Sequence, residues 1–272
     1  MQTIRSARTL ILLLSVLYSG KSIAQEMVVA PYLQDATPTS IEVMWETSQG
    51  GDCKILWGSS KTFENESERV FSIINKRPSE IHRAPINNLK PSTKYFYKVV
   101  TGSLESEVYY FTTPPLAEED KSFRMVAFSD MQRDDRYPDK FKEIVEEGVI
   151  PVLEDINGED VFKDLGMILI PGDLTREGDV YTDWTDDFFR QSKSLLPYVP
   201  VYPVLGNHEK NADYYFNYFH LPDNGSPGYM EHWYFKDYGN VRIIGLNSNT
   251  NYTIQTQLDW LDQVLQLSLI HI

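Results

Sequence analysis

The sequence predicts two domains, an all-β sandwich followed by a layered α/β domain, and three observations predict it. Residues 27 to about 114 read as short strands separated by turn chemistry, whereas from Phe123 onward apolar runs of buried-strand type alternate with helical segments. Between them lies "PPLAEED" (114–120), where prolines stiffen the chain and acids keep it in water, the composition of a linker. A chain of 272 residues, 42% hydrophobic and 13% aromatic, can bury two such cores.

In the first domain "IEVMWE" sets Ile41, Val43 and Trp45 on one face against Glu42, Met44 and Glu46, a half-buried strand followed by the turn residues "SQGGD". "YFYKVV" (95–100) and "VYYFTT" (108–113) supply further strands. In the second domain "FRMVAF", "MILI", "VYPVL" (201–205) and "VRIIGL" (241–246) are the strand candidates. Phe141, Ile144 and Val145 mark one helix that Pro151 breaks or restarts, and "YTDWTDDFFRQSKSLL" marks a second. Thr253 can cap a third, whose apolar positions Leu258, Leu261, Val264 and Leu265 recur at helical spacing. There is no internal repeat.

The two ends are read separately. Residues 1–24 carry Arg5 and Arg8, an apolar run from Leu10 to Leu17, and small residues Ser22 and Ala24 at cleavage spacing, which predicts a signal peptide. The run is too short for a membrane span, which needs about 20 residues. Export to a periplasm, a cell surface or the medium follows, with no transmembrane anchor after signal removal. Cys53, the single cysteine, cannot form an internal disulfide and is read as a small buried hydrophobe. "LSLIHI" follows the last helix without a turn residue, so 267–272 are expected to be a non-native tail and the chain a fragment. A net charge of −14 repels a phosphate backbone, so no nucleic-acid binding is expected.

Side chains that carry chemistry stand where apolar runs stop. "AFSDMQ" offers Asp130 and Gln132, "IPGDLTREGD" offers Asp173 and Arg176, and "VLGNHEK" offers Asn207 and His208. In layered α/β domains, ligands gather outside the carboxyl ends of strands, where the next residue leaves the ladder and can face a shared crevice. Oxygen donors suit hard or borderline divalent ions, and a bridging carboxylate can hold two of them about 3.5–4 Å apart. Gly172 and Gly206 allow the tight turns that aim these groups. Read singly, Asp130, Asp173 and Asn207 could each be turn or cap residues.

The order Asp-x-Gln, Gly-Asp, Gly-Asn-His-Glu resembles the calcineurin-like metallophosphoesterase superfamily. The preceding segment, with Leu89, Pro91, Thr93, Tyr95 and Tyr97 spaced like the tyrosine corner of fibronectin type III domains, makes the chain similar to purple acid phosphatases. The resemblance covers about residues 27–266 and includes "YFKDYGNVRIIGLNSNT" and "QLDWLDQVL". It implies a fibronectin-like sandwich over 27–114, a linker over 115–121 and the first part of a metallophosphoesterase domain, incomplete, over 122–266. It also implies two metal ions (Fe, Mn or Zn) and hydrolysis of a phosphate ester, a monoester first, by in-line attack of a metal-bound hydroxide. Carried across, Asp130 is similar to the ligand of the first ion, Asp173 to the bridging carboxylate and Asn207 to a ligand of the second ion that also borders the substrate. His208 is similar to the catalytic residue that contacts phosphate and assists the leaving group.

Two positions depart from the pattern. Arg176 stands where purple acid phosphatases place a metal-bound tyrosine, so it is read either as a clamp on substrate phosphate or as a surface arginine paired with an acid. Gln132 stands where the superfamily often has histidine, and its amide oxygen can serve as a weaker ligand. A later strand-ending histidine and a Gly-His-x-His turn are missing from the sequence; His82, His220 and His232 are read as packing residues, the last two alternatively as substrate-lining, and the chain by itself is expected to be inactive. Phosphodiester or nucleotide hydrolysis is the alternative reaction. A non-catalytic surface binding protein on a degenerate phosphatase scaffold is the alternative function.

Overall fold

In the computed structural model, which describes residues 25–67, 70–74 and 79–269, the first domain is a two-sheet sandwich. Its strands are β1 (Met27–Thr37), β2 (Ser40–Thr47), β3 (Cys53–Gly58), β4 (Asn65–Glu66), β5 (Phe71–Ile74), β6 (Glu80–Ile86), β7 (Lys94–Thr101), β8 (Leu104–Glu105) and β9 (Tyr109–Thr112). One sheet runs β1-β2-β6-β5, and the other runs β4-β3-β7 with β8 and β9 both on β7. The alternation of β2 decides which face enters the core. Ile41, Val43 and Trp45 pack with Leu33, Ile55, Tyr97 and Phe111 between the sheets. The Tyr95 hydroxyl accepts the Lys90 N–H at 3.0 Å, the corner contact that the Leu89–Tyr97 spacing predicts.

The outer face of that sheet is not the solvated surface that Glu42, Met44 and Glu46 suggest. Met44 and Glu46 are fully buried, because the second domain packs over them. Glu46 accepts the hydroxyls of Tyr218 at 2.8 Å and Tyr181 at 3.0 Å. Tyr32 donates to the Tyr218 carbonyl at 2.6 Å, Tyr97 to the Pro197 carbonyl at 2.7 Å, and Lys236 pairs with Asp35 at 2.7 Å. A buried carboxylate is tolerated when donors reach both its oxygens, and these donors come from the partner domain.

The second domain holds β10 (Arg124–Ala127), β11 (Leu165–Ile170) and β12 (Val201–Pro203), hydrogen-bonded in that order and all parallel, and a separate antiparallel pair, β13 (Tyr234–Tyr238) with β14 (Val241–Gly245). Parallel pairing requires crossovers, supplied here by residues 140–157 and 183–198. In the first crossover α1 (Lys140–Glu143) passes through a π-helical turn, Ile144–Val149, into α2 (Ile150–Asn157), whose first turn takes Pro151. Proline therefore restarts the helix where its missing N–H is tolerated. The second crossover is π-helical over Asp183–Phe189 and then continues as turns, not the regular helix its sequence suggests. Trp184, Thr185, Asp187, Phe188 and Phe189 are all buried there, so consecutive side chains on every side of the winding must be accommodated. Two further helices, α3 (Asp213–Tyr218) and α4 (Gln255–Leu269), complete the domain. Helix α4 runs unbroken through residue 267, while residues 1–24, read as a signal peptide, and 270–272 of the suspected tail lie outside the described residues.

Glu231 titrates beside the domain contact. Burial pushes the Glu231 carboxyl up to about 7; the Leu221 N–H at 3.0 Å and the Arg83 charge oppose the shift, and Asp223 adds to it. In an unfolded chain that carboxyl ionises near its ordinary 4.5, so between the two values the folded state holds a proton the unfolded state has lost. Stability from Glu231 is thus complete below 4.5 and falls as pH rises through about 7. The urea midpoint of wild type relative to Glu231→Gln is expected to drop across that window; parallel pH profiles of the two proteins would contradict it.

Candidate metal and phosphate site

Beyond β10, β11 and β12 the chain turns sharply three times, and the turns are tied to one another. Asp130 (φ 55°) and Asp173 (φ 56°) both adopt left-handed backbone, a conformation Asp tolerates better than most residues yet still at a cost of about 1–2 kcal/mol. The Met131 N–H donates to the Asp173 carbonyl at 3.0 Å, joining the first turn to the second. The His208 N–H donates to Asp173 Oδ1 at 3.1 Å, joining the third to the second. Asp173 therefore sits between the other two turns, the place a shared ligand needs.

The two glycines have different reasons. Gly172, at φ 97°, is required by its backbone conformation. Gly206 is required by space: a Cβ there would lie 2.1 Å from Asp173 Oδ1, and one on Gly172 would lie 2.7 Å from the Gly206 Cα.

Glu209 is a residue that sequence reasoning passed over, although it stands inside "VLGNHEK". It is fully buried, and its carboxylate accepts four main-chain N–H groups: Gly206 at 2.7 Å, Leu174 at 2.7 Å, Asp173 at 2.9 Å and Thr175 at 3.3 Å. Burial pushes its carboxyl up while those four donors pull it back down. One side chain thus holds the second and third turns in register. Asn249 adds to this from the loop after β14, donating to the carbonyls of Leu205 at 3.1 Å and Gly206 at 3.2 Å.

His208 is fixed through Nδ1, which donates to the Arg176 carbonyl at 2.7 Å. That bond places a proton on Nδ1 and leaves Nε2 as the ring's working atom. The Arg176 guanidinium donates to Asp135 at 3.0 Å, both side chains largely in solvent, so here it is the surface-paired arginine. Gln132 Oε1 is buried without a hydrogen-bond partner, an orphaned acceptor that a cation or a bound water would satisfy. Asp130 Oδ2 accepts the Ser129 hydroxyl at 2.6 Å.

The side chains of Asp130, Asp173, Asn207 and Gln132 all offer oxygen donors, the chemistry that suits a hard or borderline ion. Among the described residues no group of three or more His, Cys, Asp or Glu side chains could hold a metal ion; two of the four donors here are carboxamides. The other histidines among the described residues are engaged elsewhere. His82 is buried in the sandwich against Thr47 and Ser72, and burial lowers its pKa to about 4. His220 accepts from Arg83 at 2.6 Å, and His232 stacks on Tyr252 at 4.8 Å.

Comparison with known proteins adds two family matches: the purple acid phosphatase N-terminal domain over residues 29–113 and the calcineurin-like phosphoesterase over residues 123–268. An uncharacterized Mycobacterium tuberculosis protein is 27% identical over 253 residues, covering 85% of this chain and 44% of the relative. A "probable inactive purple acid phosphatase" of Arabidopsis thaliana is 23% identical over 199 residues, covering 66% and 32%. The structure of purple acid phosphatase PPD1 from yellow lupin seeds superposes with a TM-score of 0.68 at 18% identity, covering 88% of this chain and 48% of that one. The chain thus spans half or less of the length of these relatives.

Proposed function

This chain belongs to the calcineurin-like phosphoesterase family, with a purple acid phosphatase-type N-terminal domain, and from that premise we propose that its protein hydrolyses phosphate monoesters at a dinuclear metal centre. The observation that carries the reading is the joining of three ligand-bearing turns around Asp173, at the carboxyl ends of adjacent parallel strands. Asp173 would bridge two ions, Asp130 with Gln132 would complete one and Asn207 the other. Bound there, the ions would neutralise phosphate charge and acidify a water.

The protein's own groups do the rest. Glu209 holds the bridging carboxylate and the Asn207 turn at fixed separation. His208, locked through Nδ1, keeps Nε2 out of that bond, so a proton on Nε2 could stabilise the leaving oxygen. Arg176 is one exchange away from a phosphate: its partner Asp135 is exposed, and exposed pairs are weakly held. The same proposal includes export and the division into a sandwich over 27–114, a linker over 115–121 and a catalytic domain from 122. Among the described residues no helix is long and apolar enough to cross a membrane.

A second reading, a non-catalytic scaffold, is favoured by the relative whose name marks it as inactive. The two separate on one assay. The full-length protein loaded with Mn, Zn or Fe is expected to turn over phenyl phosphate and to stop when a chelator removes the metal; no metal-dependent turnover would leave the scaffold reading in place.

A further inference from the structure

Beside the Asn207 turn lies a recess of about 290 Å³ whose walls come from two loops, one following β12 and one following β14. We propose that it is the leaving-group subsite of the phosphoesterase and that it takes a small polyhydroxylated alcohol, a single sugar or polyol ring; this rests on the reading of the site given above.

The chemistry of the lining sets the class. Five carboxamides border it (Asn207, Asn211, Asn247, Asn249, Asn251), along with Thr250 and Tyr252, and no carboxylate does, in a chain with 39 acids. Lys210 supplies the lining's charge, and its ammonium is already bound to Glu177 and Asp179. A carboxamide offers a donor and an acceptor side by side, the complement of vicinal hydroxyls, each of which also does both. The side chains of Asn211 and Asn251 are exposed and make no hydrogen bond among the described residues.

The deep wall is built rather than incidental. Asn247 is fully buried; Gln257 holds its main-chain N–H at 2.8 Å and its carbonyl at 3.0 Å, and its Oδ1 accepts both the N–H and the Nδ2 of Asn249. Because a main-chain N–H can only donate, the amide orientation is fixed, and Nδ2 is the donor left without an acceptor. An alcohol oxygen entering from the recess can satisfy it; an aryl or alkyl group cannot. Tyr252 is braced by its stack on His232, interplanar angle 28°, which holds one side of the recess in place. The volume is at the bottom of the usual range for small-molecule sites, roughly 300–1,000 Å³, a size that suits a single ring.

Calorimetric titration of the Mn-loaded full-length protein with ribose 5-phosphate, phenyl phosphate, inorganic phosphate and adenosine 5′-phosphate tests this. Ribose 5-phosphate is expected to bind about tenfold more tightly than phenyl phosphate, the net worth of one or two hydrogen bonds. The nucleotide is expected to gain nothing over ribose 5-phosphate. Asn211→Ala with Asn251→Ala, at exposed positions without partners, should bring the sugar-to-phenyl ratio down toward one. Equal binding of the sugar and phenyl esters overturns the subsite alone, and tighter binding of the nucleotide overturns the single-ring class. Binding of none of the four overturns the phosphoesterase reading and the subsite with it.

Discussion

Replacing Glu209 by alanine is expected to cost about 3 kcal/mol of folding stability, a large share of the 5–15 kcal/mol available to a domain. The mutation leaves four main-chain N–H groups without their acceptor, in a place where its carboxylate is wholly shielded from water. Part of that loss is offset because a buried charge no longer has to be desolvated, which is why the expected figure is well below four separate hydrogen bonds to a charged group. Glu209→Gln keeps the volume and one oxygen, so it should lose roughly half as much. Urea midpoints at neutral pH measure both. A shift below about 0.5 kcal/mol for the alanine variant, the range of an ordinary surface substitution, would contradict the role assigned to this residue.

The second large effect is expected at Asp173, and asparagine is the informative substitution. Asparagine tolerates the left-handed backbone found there, and its amide oxygen can still accept the His208 N–H, so the fold is preserved while the charge is removed. Residues that merely support a metal ligand typically cost 10–100-fold in affinity, so loss of a bridging carboxylate should weaken Mn binding by at least about 100-fold. Turnover should fall more than about a thousandfold, since the charge lost faces the reacting phosphate. Unchanged thermal unfolding together with lost metal binding is the expected pair of results. Unchanged metal binding in Asp173→Asn would remove Asp173 from the site.

Glu209 also shows what a sequence conceals. Strand-ending Asp130, Asp173 and Asn207 are visible because each follows its own apolar run, a local signal. What joins the turns is not local: Glu209 reaches N–H groups 34 to 36 residues away, and nothing in the spacing of the motif announces that. The outer face of β2 is a similar case. Its alternation is legible, and Trp45 enters the sandwich core as the pattern requires, but Glu46 faces a second domain whose tyrosines lie 135 and 172 residues further on.

Helices were harder to read than strands for the same reason. Leu258 and Leu265 have helical spacing, yet they stay 52% and 44% exposed while Trp260 and Val264 turn inward, because the packing face is chosen by Trp233 and not by the leucine pattern. In the Asp183–Phe189 segment Trp184, Phe188 and Phe189 fall at helical spacing, which periodicity reads as an ordinary helix; the segment winds as a π-helix that also buries the polar Thr185 and Asp187. Arg176 was legible as a charged residue beside the site, and its partner Asp135 was not, since that pairing depends on where two loops meet.

The most direct test is the manganese-dependent hydrolysis of phenyl phosphate by the purified full-length wild-type protein, run beside its Asp173→Asn variant under the same loading. Turnover that requires the metal is expected in the wild type and is expected to be lost in the variant. Turnover absent from both, or equal in both, would contradict a phosphoesterase site built on Asp130, Asp173, Asn207 and His208.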